Sequence, residues 1–250
     1  DSASEKCTAA IHANGSDIWV IGREQDIAQY HAYHLSTSGI IDSVTTTFPE
    51  ANYSCVGYLL ANHAGDRIAT ANYNNTNPVE IYPFDQATGI VGTPDTLFPG
   101  ASPYGIHFSP NDQLFYAGTT GGIFQFDLTA ANINSTLYQV AASSTYALAE
   151  GPDKKIYATK YQTSYLARIN FPDSIGAACG FQDSAVYLEG RMCRIGLPNH
   201  VAANIFGIEE IIFMGFCIGD QTQFTFDTAG VDSVKWNFGE PSSGTNNTST

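Results

Sequence analysis

Helical patterns, basic residues and long apolar runs are all scarce in this sequence. We find no amphipathic pattern of helical period, and only 10 lysines and arginines stand against 24 acidic residues, giving a net charge of −14. That charge repels phosphate backbones and anionic lipid surfaces, so neither a nucleic-acid partner nor membrane insertion is expected. No run of about 18 apolar residues occurs, so no membrane-spanning helix is predicted.

Motifs for metal or covalent chemistry are also missing. None of the five cysteines forms a C-x-x-C pair, and the histidines lack zinc-ligand spacing, so no metal and no other cofactor is expected. No G-x-S-x-G occurs, which argues against a nucleophile elbow. The start of the chain has no basic and apolar leader, and we expect either that a signal peptide has been removed or that the chain begins inside a longer one.

What the sequence does have is a recurring three-strand pattern, clearest over residues 104–128. There Ile106 and Phe108 alternate with smaller or polar neighbours, and the turn S-P-N-D leads into the apolar strand L-F-Y-A. The strand I-F-Q-F then follows a Gly-Gly turn. Weaker copies align on apolar residues of the second strand, at Ile18, Ile68, Leu114 and Ile156. These four side chains are predicted to be buried in equivalent positions.

The repeat length predicts the fold class. A period of roughly 40–50 residues with about four strands per unit is typical of a β-propeller. We therefore predict an all-β fold in which residues 1–205 form four to five blades of an expected seven, the first blades lying upstream. Such a piece is not a closed ring, so an upstream segment or another chain, including a second copy, is expected to cover its open edge.

Composition changes in the last part of the chain, residues 206–250. Phe224 and Phe226 alternate with polar residues, as do Val234, Trp236 and Phe238. These patterns predict two strands of an Ig-like sandwich that is truncated here, because two or three strands are marginal alone.

Several motifs resemble one family of bacterial surface proteins. They are A-A-I-H-A-N-G-S-D-I-W-V-I-G (9–22), S-P-N-D (109–112), I-F-Q-F-D-L (123–128), R-I-G-L-P-N-H (194–200), F-C-I-G-D-Q-T-Q-F-T (216–225) and V-K-W-N-F-G-E-P (234–241). They are similar to the propeller-like N-terminal regions of large type IX-secreted proteins of gliding and predatory bacteria, where Ig-like domains of the polycystic-kidney-disease (PKD) type follow. Glu240 stands where that domain usually has Asp.

The resemblance implies a secreted, multidomain cell-surface protein and transfers no catalytic residues. Asp-Ser and Asp-Thr pairs also resemble the O-glycosylation signal of this bacterial group, with ordinary turns as the alternative. They begin at Asp1, Asp42, Asp95, Asp173, Asp183, Asp227 and Asp232.

An oxidising compartment predicts disulfides. Cys179 and Cys193 flank a predicted short hairpin and are expected to be bonded. Cys7 and Cys55 precede the first strands of adjacent units and are expected to form a second bridge. Cys217 is left without a partner in this chain, or pairs outside it.

Candidate binding residues lie on loops and first strands. Tyr73, Asn74 and Tyr161 stand on longer polar loops, where tyrosine and asparagine suit glycans or protein surfaces. Tyr104, His107 and His12 stand on first strands, which line the channel of a propeller. A merely solvated loop and structural histidines are the alternatives.

Three functions remain open from the sequence. The first is a non-enzymatic surface module for adhesion or assembly, whose partner is a protein or glycan surface. The second is a propeller-type hydrolase of the lactonase or glycosidase kind, which needs converging carboxylates or a metal in the channel. The third is a structural subunit of an extracellular filament.

Overall fold

The computed structural model describes residues 3–25, 27, 29–48, 54–73 and 78–197, with strand segments at 212–214, 223–225, 236–237 and 248–249. Contacts divide the chain into two units, Asp1–Ile205 and Phe206–Thr250. Within the described part of the chain, no helix combines the length and apolar character needed to cross a membrane.

The first unit contains four antiparallel sheets, each built from four strands that follow one another along the chain. Sheet 1 comprises β1 (Ala3–Ile11), β2 (Ile18–Glu24), β3 (Gln29–Ser36) and β4 (Gly39–Thr47). Sheet 2 comprises β5 (Leu59–Ala61), β6 (Arg67–Ala71), β7 (Val79–Pro83) and β8 (Asp95–Leu97). Sheet 3 comprises β9 (Pro103–Phe108), β10 (Leu114–Thr119), β11 (Gly122–Asp127) and β12 (Tyr138–Ala141). Sheet 4 comprises β13 (Leu148–Glu150), β14 (Ile156–Ala158), β15 (Tyr165–Ile169) and β16 (Phe181–Tyr187).

Two short 3-10 helices interrupt the strands of this unit, at Ile133–Thr136 and Gly176–Cys179. In the second unit β17 (Ile212–Met214) pairs with β18 (Gln223–Thr225), and β19 (Trp236–Asn237) pairs with β20 (Thr248–Ser249). The PKD-type assignment of this unit stays a prediction.

The four sheets pack face to face in chain order. Trp19, Ile68 and Tyr82 fill the space between sheets 1 and 2, and Phe115 and Ile81 belong to the core between sheets 2 and 3. A third core joins sheets 3 and 4 through Leu114, Tyr116, Ile123, Ile156 and Ile169. First strands adjoin one another in the same order: β1 contacts β5, β5 contacts β9, and β9 contacts β13. The all-β, propeller-like prediction is therefore confirmed for this unit.

The four anchor residues are less equivalent than the repeat predicts. Ile68 and Ile156 are fully buried and face the preceding sheet. Leu114 is also buried, but it faces sheet 4. On β10 it is Phe115, the next residue, that faces the preceding sheet. Ile18 is only half-buried, since it packs with Ala9 on the opposite face of sheet 1 from Trp19. The predicted equivalence is thus wrong for these two strands.

The predicted Cys179–Cys193 disulfide is wrong in this structure, where both thiols are free. The stretch between them is not a hairpin, because residues 181–187 form the single strand β16. β16 pairs antiparallel with β15 from one end of β15 to the other, so Cys179 and Cys193 lie at opposite ends of β15. Consequently Cys179 O bonds Phe171 N beyond one end of β15, whereas Cys193 Sγ bonds Tyr165 O at the other end, 3.3 Å away. Five residues of strand span roughly 13–17 Å, far beyond disulfide reach.

The predicted Cys7–Cys55 disulfide is also wrong, because these thiols are free as well. Successive side chains of a strand point to opposite faces. Lys6 reaches across to sheet 2, where its Nζ donates to Thr70 Oγ1 at 2.8 Å. Cys7 therefore points away from sheet 2 and from Cys55, and it lines a cavity of about 290 Å³ with His31 and other residues of sheet 1. Cys217 lies outside the described residues.

Candidate binding site

Five tyrosine rings lie along one edge of the first unit, which we call the rim. At this rim the first strands of sheets 2, 3 and 4 begin. Each ring lies near the next, at centroid distances between 5.5 and 6.5 Å. We call this group the tyrosine arc, and its members are Tyr58, Tyr73, Tyr104, Tyr146 and Tyr161. The rings meet at tilted or edge-to-face angles, the arrangement that aromatic pairs prefer. Tyr161 is 45% exposed and the others are half-buried, so the arc offers a contiguous aromatic surface to solvent.

Strand geometry explains why these rings converge. Tyr58, Tyr104 and Tyr146 stand at or just before the start of the first strands β5, β9 and β13. The backbones of these strands are joined there, because Tyr58 N donates to Tyr104 O at 2.9 Å and Gly105 N donates to Tyr146 O at 3.1 Å. Tyr73 and Tyr161 follow β6 and β14, which return antiparallel to the same rim. Sheets 2 and 4 thus contribute equivalent pairs, and Tyr104 lies between them.

A cavity of about 300 Å³ opens beside Tyr58 and Tyr104. The rest of its described lining is Glu5, Gly57, Gly196 and Leu197. Tyr58 is fixed at this cavity because its hydroxyl donates to Leu197 O at 2.9 Å and accepts from Leu197 N at 3.0 Å. Gly57 has φ +106°, and a Cβ there would lie 2.6 Å from Ala71 O, so only glycine fits.

The surroundings of Tyr58 and Tyr104 favour their neutral forms. Burial raises the pKa of both Tyr58 and Tyr104, and the nearby Glu5 carboxylate raises it further. The phenols of Tyr58 and Tyr104 therefore stay protonated at physiological pH, where each has a hydroxyl that can donate and accept hydrogen bonds. Glu5 itself is exposed, and its Oε1 accepts from Gly57 N at 2.7 Å. The rim is thus aromatic and hydroxyl-rich, with one carboxylate.

An ionic cluster occupies the opposite end of the same first strands. His63, in the turn after β5, bonds Asp112 Oδ1 through Nδ1 and Glu150 Oε2 through Nε2, both at 2.9 Å. Burial alone would lower the pKa of His63, but the hydrogen bonds and charges of these two carboxylates raise it to about 9. Because the three residues come from sheets 2, 3 and 4, the cluster joins the turns after β5 and β9 to the end of β13.

The acceptor atoms of this cluster are already engaged. Asp112 Oδ2 accepts from Asn62 Nδ2 at 3.0 Å and from Ala64 N at 2.8 Å. Glu150 Oε1 lies 3.4 Å from Lys154 Nζ. The arrangement is that of a structural ion pair network between neighbouring sheets, not of a carboxylate pair facing a substrate.

The sequence-predicted site residues fall into three places. Tyr73, Tyr104 and Tyr161 are brought together in the tyrosine arc, whereas Asn74 lies outside the described residues. His107 is buried, with Nδ1 2.7 Å from Phe108 O and Nε2 3.3 Å from Glu150 N, so it faces away from the arc. His12 lies in the turn after β1, where it stacks on His34.

Sequence reasoning missed Tyr58 and Tyr146 as members of the site. The available signal was the repeat itself, because both residues stand beside the start of a first strand, as Tyr104 does. The ionic cluster was also missed, since His63 and Asp112 stand in turns that an ordinary turn composition explains.

Comparisons with known proteins give a fold and no function. No family model matches the chain, and no curated protein does. Among solved structures, a functionally unknown protein from Desulfotomaculum acetoxidans is 13% identical with a TM-score of 0.50, covering 74% of this chain and 56% of its own. A putative 6-phosphogluconolactonase from Bacteroides uniformis is 13% identical with a TM-score of 0.49, covering 86% and 68%.

The PQQ domain of a pyranose dehydrogenase from Coprinopsis cinerea is 15% identical with a TM-score of 0.43, covering 63% of this chain and 45% of its own. The chain thus spans about half the length of the first of these structures. At such identities a likeness concerns the fold alone, and the two matches with TM-scores below 0.5 support no further step.

Proposed function

We propose that this chain is a non-enzymatic binding module that holds a neutral glycan against the tyrosine arc. The observation that supports this most directly is the continuity of the five rings along one rim, beside a cavity of about 300 Å³. Solvent-facing aromatic side chains at adjoining positions of a rigid scaffold are the groups that most often carry binding energy.

The chemistry of the arc favours a glycan chain over other ligands. A tyrosine presents an apolar ring and a hydroxyl, which match the C–H face and hydroxyl rim of a sugar. The net charge of −14 and the carboxylate of Glu5 disfavour anionic ligands. The cavity is at the small end of ligand sites, which suits one residue of a chain, with its neighbours lying along the rings. A protein surface is the alternative ligand.

A hydrolase is less well supported at either rim. Glu5 is the single carboxylate in the described lining of the cavity, whereas acid–base hydrolysis of glycosides uses a pair. The carboxylates of Asp112 and Glu150 are paired with His63 and Lys154.

The wider setting of the module rests on the sequence resemblance. We propose a secreted cell-surface protein of the type IX kind, in which further blades complete the propeller and PKD-type domains follow. On such a protein, a glycan-binding rim would serve adhesion or the assembly of a larger surface structure. Assembly into a filament is the structural alternative.

The proposal is tested by Tyr104→Ala, because Tyr104 touches three other rings of the arc. We expect a panel of immobilised neutral oligosaccharides to identify a ligand of the wild-type chain. Titration of that ligand should then show affinity at least about tenfold weaker for Tyr104→Ala, which corresponds to roughly 1.4 kcal/mol.

Tyr33→Ala is the matched control. Tyr33 is 39% exposed on sheet 1 and lies outside the arc, so its loss should leave the affinity unchanged. Equal weakening by both variants, or a panel on which wild type binds no neutral sugar, would contradict the glycan proposal. If wild type binds a protein instead, and Tyr104→Ala abolishes that binding, the arc remains the binding site but its ligand is a protein and not a glycan.

A further inference from the structure

Two imidazoles and a carboxylate converge at the turn-bearing end of sheet 1. His34 Nε2 lies 3.0 Å from Asp17 Oδ2, and the ring of His34 stacks on that of His12 with centroids 4.1 Å apart. One ligand atom from each of the three residues lies within 4.8 Å of those of the other two. All three residues are half-buried.

The β1–β2 hairpin and strand β3 bring these residues together. His12 and Asp17 flank the turn, where His12 N donates to Asp17 O at 2.8 Å. His34 stands on β3 directly opposite Trp19 of β2, and the indole of Trp19 lies under both imidazoles at 4.8 and 5.6 Å. Trp19 is itself held in place, because its Nε1 donates to Gln86 O at 2.8 Å. The three potential ligands thus converge beside an anchored aromatic residue.

We propose that His12, Asp17 and His34 bind a divalent transition-metal ion of the zinc type. Two imidazoles with one carboxylate are a donor set that such ions take, and a fourth position stays open to water or another ligand. The ionic cluster around His63 differs in kind, because there one imidazole lies between two carboxylates and occupies both of them.

The geometry needs a modest adjustment to take the ion. Ligand bonds of about 2.0 Å in a tetrahedral zinc site put ligand atoms roughly 3.3 Å apart. His34 Nε2 and Asp17 Oδ2 already stand near that separation, at 3.0 Å, and the proton of their hydrogen bond leaves when the ion binds. His12 has to approach and to turn out of its stack on His34, because an imidazole binds a metal in its ring plane and the two rings are nearly parallel, at 11°. It can do so because it lies just beyond β1, outside the strands.

Two further hydrogen bonds, both from Asn14, also bear on the binding. Asn14 Nδ2 donates to Asp17 Oδ2 at 2.7 Å, which orients the carboxylate as an outer-shell partner does in metal sites. Asn14 N donates to His12 Nδ1 at 3.0 Å, so the ion either takes over that lone pair or binds Nε2 after a change of tautomer. Asn14 thus contacts two of the three proposed ligands.

The alternative is a structural cluster that binds no metal. In that case the His34–Asp17 hydrogen bond and the His12–His34 stack only hold the β1–β2 hairpin against β3. The two roles differ in one property, because a brace needs no added ion and shows no saturable response to one.

Titration with zinc and with its spectroscopic substitutes distinguishes the two roles on the full chain. We expect isothermal titration with Zn²⁺ to give one site with micromolar or tighter affinity, and Co²⁺ to give visible d–d bands that Zn²⁺ abolishes. In a Trp236→Phe background, which leaves Trp19 as the single indole, Cu²⁺ should quench the fluorescence saturably.

Variants assign the ligands. His34→Gln and His12→Gln should each weaken Zn²⁺ binding by more than the roughly 10- to 100-fold that removal of an outer-shell partner typically costs. His31→Gln is the matched control, because His31 lies on the same strand and pairs with Glu24 instead, so it should bind Zn²⁺ as wild type does.

Circular dichroism of each variant establishes that it is folded before the comparison is made. The proposal is overturned if wild type shows no saturable Zn²⁺ binding. It is equally overturned if folded His34→Gln binds as tightly as wild type, or if His31→Gln loses binding to the same extent.

Discussion

At the scale of single residues, His63 is the group whose ionisation most directly links three sheets. Its side chain is 16% exposed and bonds carboxylates from sheets 3 and 4. The pKa of His63 is raised to about 9, above an ordinary value of 6.5. A raised pKa of this kind stabilises the fold fully below the unfolded value, and the stabilisation is lost as pH rises through the folded value.

The corresponding prediction is a fall in stability between about pH 6.5 and 9, by up to about 3 kcal/mol. Asp112 and Glu150 do not contribute to this fall, because their pKa values are lowered and they titrate at acidic pH. Burial alone would raise them, but the hydrogen bonds from His63 lower both, so their contribution is lost only as the solution becomes acidic. Urea unfolding at pH 6, 7.5 and 9 measures the fall.

His63→Gln should lower the free energy of unfolding at pH 6 and flatten the profile above pH 6.5. Glutamine keeps a hydrogen-bonding group but carries no charge. His31→Gln serves as the control, since His31 pairs with one carboxylate at 3.5 Å on the open face of sheet 1. A wild-type profile with the same slope as that of His63→Gln would show that the cluster does not couple folding to this proton.

How far the site could be read from the sequence depends on the residue. Tyr73 and Tyr161 were predictable because loops longer than a tight turn carried an aromatic residue. Tyr104 was also predicted, from its place on a first strand. Tyr58 and Tyr146 were not, because their ring contacts depend on how closely neighbouring first strands approach. The His12–His34 stack was beyond sequence reasoning for the same reason, since it depends on the register of β2 against β3.

At the scale of strands, two glycines set the spacing between sheets 3 and 4. Gly105 on β9 and Gly118 on β10 are cross-strand partners, and the backbone of Tyr146 lies against both. A Cβ at either position would collide with Tyr146 O. The absence of two side chains therefore lets the first strand of sheet 4 approach sheet 3, which brings Tyr146 next to Tyr104.

Gly105→Ala should consequently destabilise the fold by about 1–3 kcal/mol, the usual cost of overpacking, and should weaken ligand binding at the arc. Thermal unfolding and ligand titration measure the two effects. Gly22→Ala is the matched control, because Gly22 also lies within a strand but a Cβ there would meet its nearest neighbour, Lys6 O, only at 3.9 Å. Equal stability of Gly105→Ala and wild type would mean that the strands can separate freely.

The central strands of a sheet were easier to predict than its outer strand. The central strands alternate or run apolar, as β10 does with every residue buried, and their turns carry Pro, Asn, Asp and Gly. Strand β16 has no such pattern, because as an outer strand most of its residues are half-buried or exposed. Gln182, Asp183 and Ser184 are tolerated there although they resemble a turn, which is why the sequence suggested a hairpin and a disulfide.

At the scale of the whole first unit, stability should be graded from the middle sheets outward. In the part of the chain that the structure describes, each apolar core is shared by two sheets that are neighbours in chain order, as in repeat proteins whose stability is a sum of local terms. Sheets 2 and 3 have cores on both faces. By contrast, β4 of sheet 1 and β16 of sheet 4 are largely half-buried or exposed.

Hydrogen exchange followed by mass spectrometry measures this gradient directly. Backbone amides of β10 should exchange slowest, close to the rate of global unfolding, while those of β4 and β16 exchange fastest among the strands.

Phe115→Ala should then accelerate exchange throughout sheets 2 and 3, because Phe115 is fully buried in their shared core and its loss typically costs about 3–5 kcal/mol. Val44→Ala, at the half-buried edge of the core between sheets 1 and 2, should accelerate exchange in those two sheets and leave sheets 3 and 4 unchanged. If both variants accelerate all four sheets equally, the unit unfolds as one cooperative block and sequential packing does not set its stability.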